Sequence, residues 1–321
     1  MSETTRGLSE TFMEDLKGSN GALHSLLERI QQDSTLMVGI RDDYLDVYYR
    51  GGRLLNLARN GDGYRAQFDE EYDKGGYLSL EDLPGEISTP EQMKKWVDAF
   101  PSLKHVMDIH FGEKNKLERE FQQAVVRENN FSSISNETEY FITDIEYTEP
   151  GKTEARFDML GLRWPANERT HPKNCRPVLI EMKYGDGALE GESGLSKHLT
   201  DIDRCFSDPN WREGLVRTIN LQFRQLRELD LVRFGSNGNT NEVEIQPDAR
   251  PEVVFLLANS NPRSSQLETA VEKIANEESE AEFDLRFFAS TFAGYGMHRG
   301  NMLTTEQFRA LLQQFRNPSE S

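Results

Sequence analysis

Asp158, Glu181 and Lys183 set two carboxylates and an ammonium inside short apolar segments. In an extended chain, residues two apart project to the same face. Glu181 and Lys183 are spaced this way in Pro177-Val178-Leu179-Ile180-Glu181-Met182-Lys183, just before Gly185. Asp158 stands in a comparable setting, Arg156-Phe157-Asp158-Met159-Leu160. A charge among apolar neighbours is costly to bury unless it is paired or bound to a metal. Two carboxylates from adjacent strands repel each other unless a hard cation such as Mg²⁺ is held between them. Metal-assisted hydrolysis is therefore the expected chemistry. Asp158, Glu181 and the main-chain carbonyl of Met182 would hold one or two Mg²⁺ (or Mn²⁺) ions, and a metal-bound water would attack a phosphodiester. Lys183 would orient or deprotonate that water, or neutralise the phosphate.

The hydrophobic pattern supplies the strands and helices that carry these three side chains. The spacing predicts an amphipathic helix over residues 114–129, then strands over 139–148, 155–164 and 176–184. The third is the most apolar and is expected at the centre of a sheet. Helices over 195–206 and 211–231 follow, then a strand at 252–259, a helix at 264–278, a strand at 283–290 and a helix at 304–315. This order predicts an α/β (α+β) fold, a mixed sheet covered by helices, over residues 113–321. Residues 1–112 are expected to form a separate module: a helix over 10–32, an antiparallel sheet from residue 35 with a hairpin at Gly51-Gly52, and a short helix over 90–100.

The two segments, Arg156-Phe157-Asp158-Met159-Leu160 and Val178-Leu179-Ile180-Glu181-Met182-Lys183-Tyr184-Gly185, resemble the central signature of the PD-(D/E)XK, or restriction-endonuclease-like, superfamily. That family carries its Asp on the second core strand and its Glu-x-Lys on the third. The resemblance covers about residues 113–260. It implies a restriction-endonuclease-like core and a Mg²⁺-dependent endonuclease acting on nucleic acid, with DNA the expected substrate and restriction or anti-phage defence the expected setting. It also implies a further carboxylate on the first core helix, Glu118, with Glu120 the alternative. The proline before the Asp is absent here. The Gln and Tyr often found on the helix after the Lys are replaced by Lys197, His198, Asp201 and Asp203, and Gln222 or Gln225 on the next helix could supply such a contact.

Further candidates are weaker. His198 could shuttle a proton or contact substrate, although an isolated histidine is more often a surface residue. Asp186, Glu190 and Glu192 could bind a second metal, although a solvated acidic loop is the commoner outcome. Arg217 and Arg224, seven apart on one helix face, are with Gln225 the expected nucleic-acid contacts, and salt bridges to Glu213 and Glu228 explain the arginines as well.

The net charge of −18 argues against tight, extended DNA binding. Affinity is therefore expected from a protein partner, a homo-oligomer or an activating ligand. Cys175 and Cys205 have no second thiol at metal-ligand spacing, and no run approaches the roughly 18 apolar residues of a membrane span. With a polar stretch over residues 1–15, a cytoplasmic protein without membrane association is expected. The rival expectation is a catalytically inactive nuclease-fold protein serving as an interaction or scaffolding subunit.

Overall fold

The computed structural model describes residues 6–78, 80–114, 117–131, 138–148, 156–185, 189, 194–235, 243–261, 263–277, 281–290, 299 and 302–316. Among them, helices and two five-stranded sheets make a mixed α+β protein. The chain divides into two compact units: Met1–Arg127 with Leu221–Arg233, and Glu128–Asn220 with Phe234–Ser321. The division falls inside two helices, Leu117–Asn130 and Pro209–Glu228, and not between residues 112 and 113. A continuous helix carries no change of composition at the point where it passes from one core to another.

In the first unit, α1 (Glu10–Lys17) and α2 (His24–Gln32) replace the single helix expected over residues 10–32. The break at Gly18–Gly21 folds the chain back so that Leu23 N–H donates to the Asp15 carbonyl at 3.1 Å. A Cβ at Gly21 would lie 2.2 Å from that same oxygen, so only glycine fits. Strands β1 (Leu36–Ile40), β2 (Tyr44–Tyr49), β3 (Gly52–Asn60), β4 (Gly63–Gln67) and β5 (Glu86–Ile87) form an antiparallel sheet in chain order. The β2–β3 hairpin turns on Arg50 (φ 49°) and Gly51 (φ 72°), while Gly52 already pairs with Tyr49. The two left-handed positions are thus one residue earlier than the Gly51-Gly52 pair suggested, as a two-residue primed turn requires.

Helix α3 (Pro90–Glu113) starts with a capping box between Thr89 and Gln92 and runs through Pro101 for 24 residues, well past the expected end near residue 100. An interior proline costs about 3 kcal/mol. The turns beyond it bury Leu103, Val106, Met107 and Phe111, each contributing about 1.5–3 kcal/mol, so continuation wins. Helix α4 (Leu117–Asn130) follows.

The second unit is built on a sheet of order β10-β9-β8-β7-β6. Its strands are β6 (Tyr140–Thr148), β7 (Arg156–Arg163), β8 (Arg176–Tyr184), β9 (Glu252–Ala258) and β10 (Asp284–Ser290). As expected, β8 is central. It runs antiparallel to β7 and parallel to β9, which is parallel to β10. Helices α5 (Leu195–Phe206) and α6 (Pro209–Glu228) cross over from β8 to β9, and α7 (Ser265–Glu277) from β9 to β10. Helix α8 (Thr305–Arg316) is capped by Thr304, whose Oγ accepts from Gln307 N–H at 3.3 Å.

Two side-chain amides tie irregular chain to this unit. Asn130 at the end of α4 donates to the Ile142 carbonyl (2.7 Å) and accepts its N–H (3.0 Å), which pairs the β6 edge beside its bulge. Asn220 holds Ile245 in the same two-way manner.

Gly161 in β7 lies so close to β6 that a Cβ there would stand 2.1 Å from the Phe141 carbonyl oxygen. Strand backbone cannot yield that distance without breaking the ladder. Gly161→Ala is therefore expected to destabilise the second unit by about 3 kcal/mol. A urea titration checks this, and a midpoint within error of the parent would contradict the packing described.

Candidate active site

The β7–β8 register pairs Met159 with Ile180, so Asp158 and Glu181 stand directly opposite across the two strands, with their side chains on one face. Lys183 follows two residues later on the same face. All three are buried, at 9%, 3% and 4% exposure. At this end the ladder changes character. The Met182 N–H donates to Asp158 Oδ2 at 2.8 Å, so a side chain takes the place of a main-chain acceptor. Lys183 Nζ donates to Glu181 Oε1 at 2.8 Å. Burial pushes the Asp158 carboxyl above the ordinary aspartate range despite the Met182 N–H and the Lys183 charge. One ammonium thus faces two buried carboxylates.

His198, on the first turn of α5, completes the cluster. Its Nε2 lies 3.1 Å from Lys183 Nζ and 3.1 Å from Glu181 Oε1. At 22% side-chain exposure it is the most open member of the group. The sequence favoured a surface histidine. The distance between Lys183 and His198 along the chain hides their contact, which depends on how α5 packs against β8.

Glu146 is a further carboxylate at this site. Ile145 pairs with Met159 and Tyr147 with Phe157, so Glu146 stands opposite Asp158 on the other side of β7. It adopts a left-handed backbone (φ 53°) and is ion-paired with Arg156. Glu146, Asp158 and Glu181 therefore cross three adjacent strands in one row. The only signal in the sequence was the alternation of Asp144, Glu146 and Thr148 within an otherwise apolar strand.

The donor set suits a hard divalent cation in part. Two buried carboxylates that face one ammonium leave negative charge that a cation would offset, and Mg²⁺ binds through one or two carboxylates while keeping several waters. Among the described residues, no group of three or more His, Cys, Asp or Glu is arranged to hold a metal. The remaining ligands would be main chain, such as the Met182 carbonyl, together with water and substrate.

The other expected residues are placed as follows. Glu118 is half-buried on the part of α4 that belongs to the first unit, and its alternative Glu120 is held by Arg50 through two hydrogen bonds of 3.0 and 3.1 Å. Arg217 pairs with Glu213 one turn earlier at 2.8 Å. Arg224 is exposed and lines a cleft of about 760 Å³ in the first unit whose rim carries Glu10, Glu14, Glu228 and Lys17. Three carboxylates around two cations make that cleft a poor seat for phosphate.

Gln225 corrects the expected nucleic-acid contact. It is buried and uses its amide on the main chain, accepting from Leu8 N–H at 2.9 Å and donating to the Leu8 carbonyl at 2.7 Å. Gln222 is likewise buried and donates to the Ile40 carbonyl. Asp186, Glu190 and Glu192 lie outside the described residues. No described helix is long and apolar enough to cross a membrane. Comparison with known proteins gives no matching family, no matching curated protein and no matching solved structure, so the reading of this site rests on its own geometry.

Proposed function

We propose that the chain is a divalent-metal-dependent nuclease hydrolysing phosphodiester bonds of nucleic acid, DNA foremost, with a restriction-endonuclease-like core in its second unit. The observation that carries this reading is the placement of Asp158 opposite Glu181 with Lys183 on the same face at the end of the central strand. Mg²⁺ or Mn²⁺, when bound, supplies a water of lowered pKa and positive charge for the phosphate. Asp158 and Glu181 would hold that ion. Asp158 is fixed by the Met182 N–H, and Glu181 is within reach of both Lys183 and His198. Lys183, with His198 Nε2 3.1 Å away as a second partner, would orient the attacking water or neutralise a phosphate oxygen. Restriction or anti-phage defence and a cytoplasmic setting belong to the same proposal, as does a protein partner or homo-oligomer that compensates for the chain's acidity.

A second reading is favoured by one feature. Lys183 already bonds Glu181 directly, so the charges are partly satisfied without metal. On that reading the chain is an inactive nuclease fold serving as a scaffold. Plasmid and single-stranded substrates incubated with Mg²⁺, with chelator, and with the Lys183→Ala variant separate the two. Cleavage that needs both Mg²⁺ and Lys183 is expected. Equal cleavage by parent and variant, or none by the parent, would favour the scaffold.

A further inference from the structure

At the other end of the same sheet, three arginines gather around one carboxylate. Arg176 at the start of β8 reaches Asp284 Oδ2 with Nη2 at 2.5 Å. Arg250, just before β9, reaches Oδ1 with Nε at 2.8 Å. Arg286 of β10 lies 3.8 Å from Oδ2. The Asp284 carboxyl is held below the ordinary aspartate range against the opposing effect of its burial, chiefly by Arg176 and Arg250.

Among the described residues, the neighbouring acids do not balance this excess. Glu282 is paired to Arg212 at 2.9 Å. Glu252, one strand over, is fully buried and accepts from the Tyr140 hydroxyl, with Arg163 3.8 Å away on its other side. Three guanidiniums thus share one carboxylate in a protein whose net charge is −18. Strand polarity puts the cluster roughly 17 Å from Glu181 along β8, about five residues at the rise of a strand. Residue parity puts Arg176 on the opposite face of β8 from Glu181 and Lys183. It is a separate site.

Main-chain bonds explain part of the cluster. Arg176 donates to the Arg250 carbonyl at 2.7 Å, and Arg250 to those of Ala281 and Phe283 at 2.9 and 3.0 Å. These bonds fix the guanidiniums in place, so an incoming anion meets donors already oriented. They do not use all the donors: Arg286 Nε is buried and has no hydrogen-bond partner among the described residues. A buried donor left unmade costs about 1–3 kcal/mol, and that cost is recovered when an acceptor arrives. Planar guanidiniums match the oxygens of a tetrahedral phosphate better than ammonium groups do.

We propose that Arg176, Arg250 and Arg286 form a phosphate-binding site, with Asp284 as its built-in competitor. The ligand is a phosphate group, carried either by a nucleic-acid backbone or by a free phosphate compound. The assignment does not depend on the nuclease reading.

The test uses the full chain in chelator, with no metal present and at low ionic strength. Inorganic phosphate and a short DNA duplex are titrated separately, with the arginine Nε–Hε resonances followed by NMR. Phosphate is expected to shift the signals of Arg250 and Arg286. Arg250→Gln, at a position more than half exposed, is expected to weaken binding about tenfold, as loss of one charge-assisted bond implies. Asp284→Asn is expected to tighten it several-fold by removing the competing carboxylate, an outcome that a purely structural ion-pair cluster would not give. Duplex binding that weakens in Arg250→Gln identifies a backbone as the source, and phosphate binding alone identifies a free phosphate compound. Unshifted arginine signals, or equal phosphate affinity in the parent, Arg250→Gln and Asp284→Asn, would overturn the proposal.

Discussion

Asp158→Asn is expected to give a folded protein that cleaves no nucleic acid and, without metal, is about 1–2 kcal/mol more stable than its parent. The carboxyl of Asp158 is pushed up by burial, so its charged form is the costly one. Between the unfolded value, about 3.9, and the raised folded value, the native state binds more protons than the unfolded state. Stability of the parent therefore falls as pH rises through that window and stays reduced above it. Asparagine keeps an acceptor for the Met182 N–H and carries no charge, so its advantage grows over the same window. Mg²⁺ should then stabilise the parent and leave the variant unchanged. Urea titrations from about pH 4 to 8, with and without Mg²⁺, read both effects. A variant less stable than its parent at neutral pH, with an equal response to Mg²⁺, would show that Asp158 is a structural carboxylate.

Lys183→Met moves stability the other way. Lys183 is the nearest cation to Glu181 and is itself buried, so its removal leaves buried carboxylate charge behind. Breaking a buried pair from one side costs about 3–5 kcal/mol, against at most about 1 kcal/mol for an exposed pair. His198, 3.1 Å from Glu181, takes up part of the load, so the lower end of that range is expected. Lowering the pH toward carboxylate protonation should narrow the gap between variant and parent. Hydrolysis should fall about 10²–10³-fold even where the variant is fully folded, as for loss of one positioned donor to a developing anion. A stability change below about 0.5 kcal/mol would place this lysine in the ordinary surface class, and the charge argument for the site would fail with it.

Local chemistry was the part legible in the sequence. Period-two alternation and the apolar run 177–182 located β8 and its central place, and the parity of Glu181 and Lys183 put them on one face. The end of a strand before Gly185 was readable because glycine at positive φ ends pairing there. Long-range contacts were not legible. Helix α3 continues past Pro101 because four buried side chains outweigh one proline, and that sum requires the tertiary core. Gln225 reads as a polar helix residue able to meet a ligand, yet its amide is engaged by Leu8, more than two hundred residues away. Glu146 becomes a neighbour of Asp158 only through the register of β6, which a bulge between Ile142 and Asp144 shifts by one residue. The division between units follows packing that two continuous helices conceal.

Anomalous scattering from crystals soaked in Mn²⁺ shows whether Asp158 and Glu181 hold a metal. A peak is expected between the carboxylates of Asp158 and Glu181, with Lys183 Nζ moved from Glu181 toward His198. Full Mn²⁺ occupancy elsewhere, or none, with Lys183 still bonded to Glu181 Oε1, would contradict a metal site there.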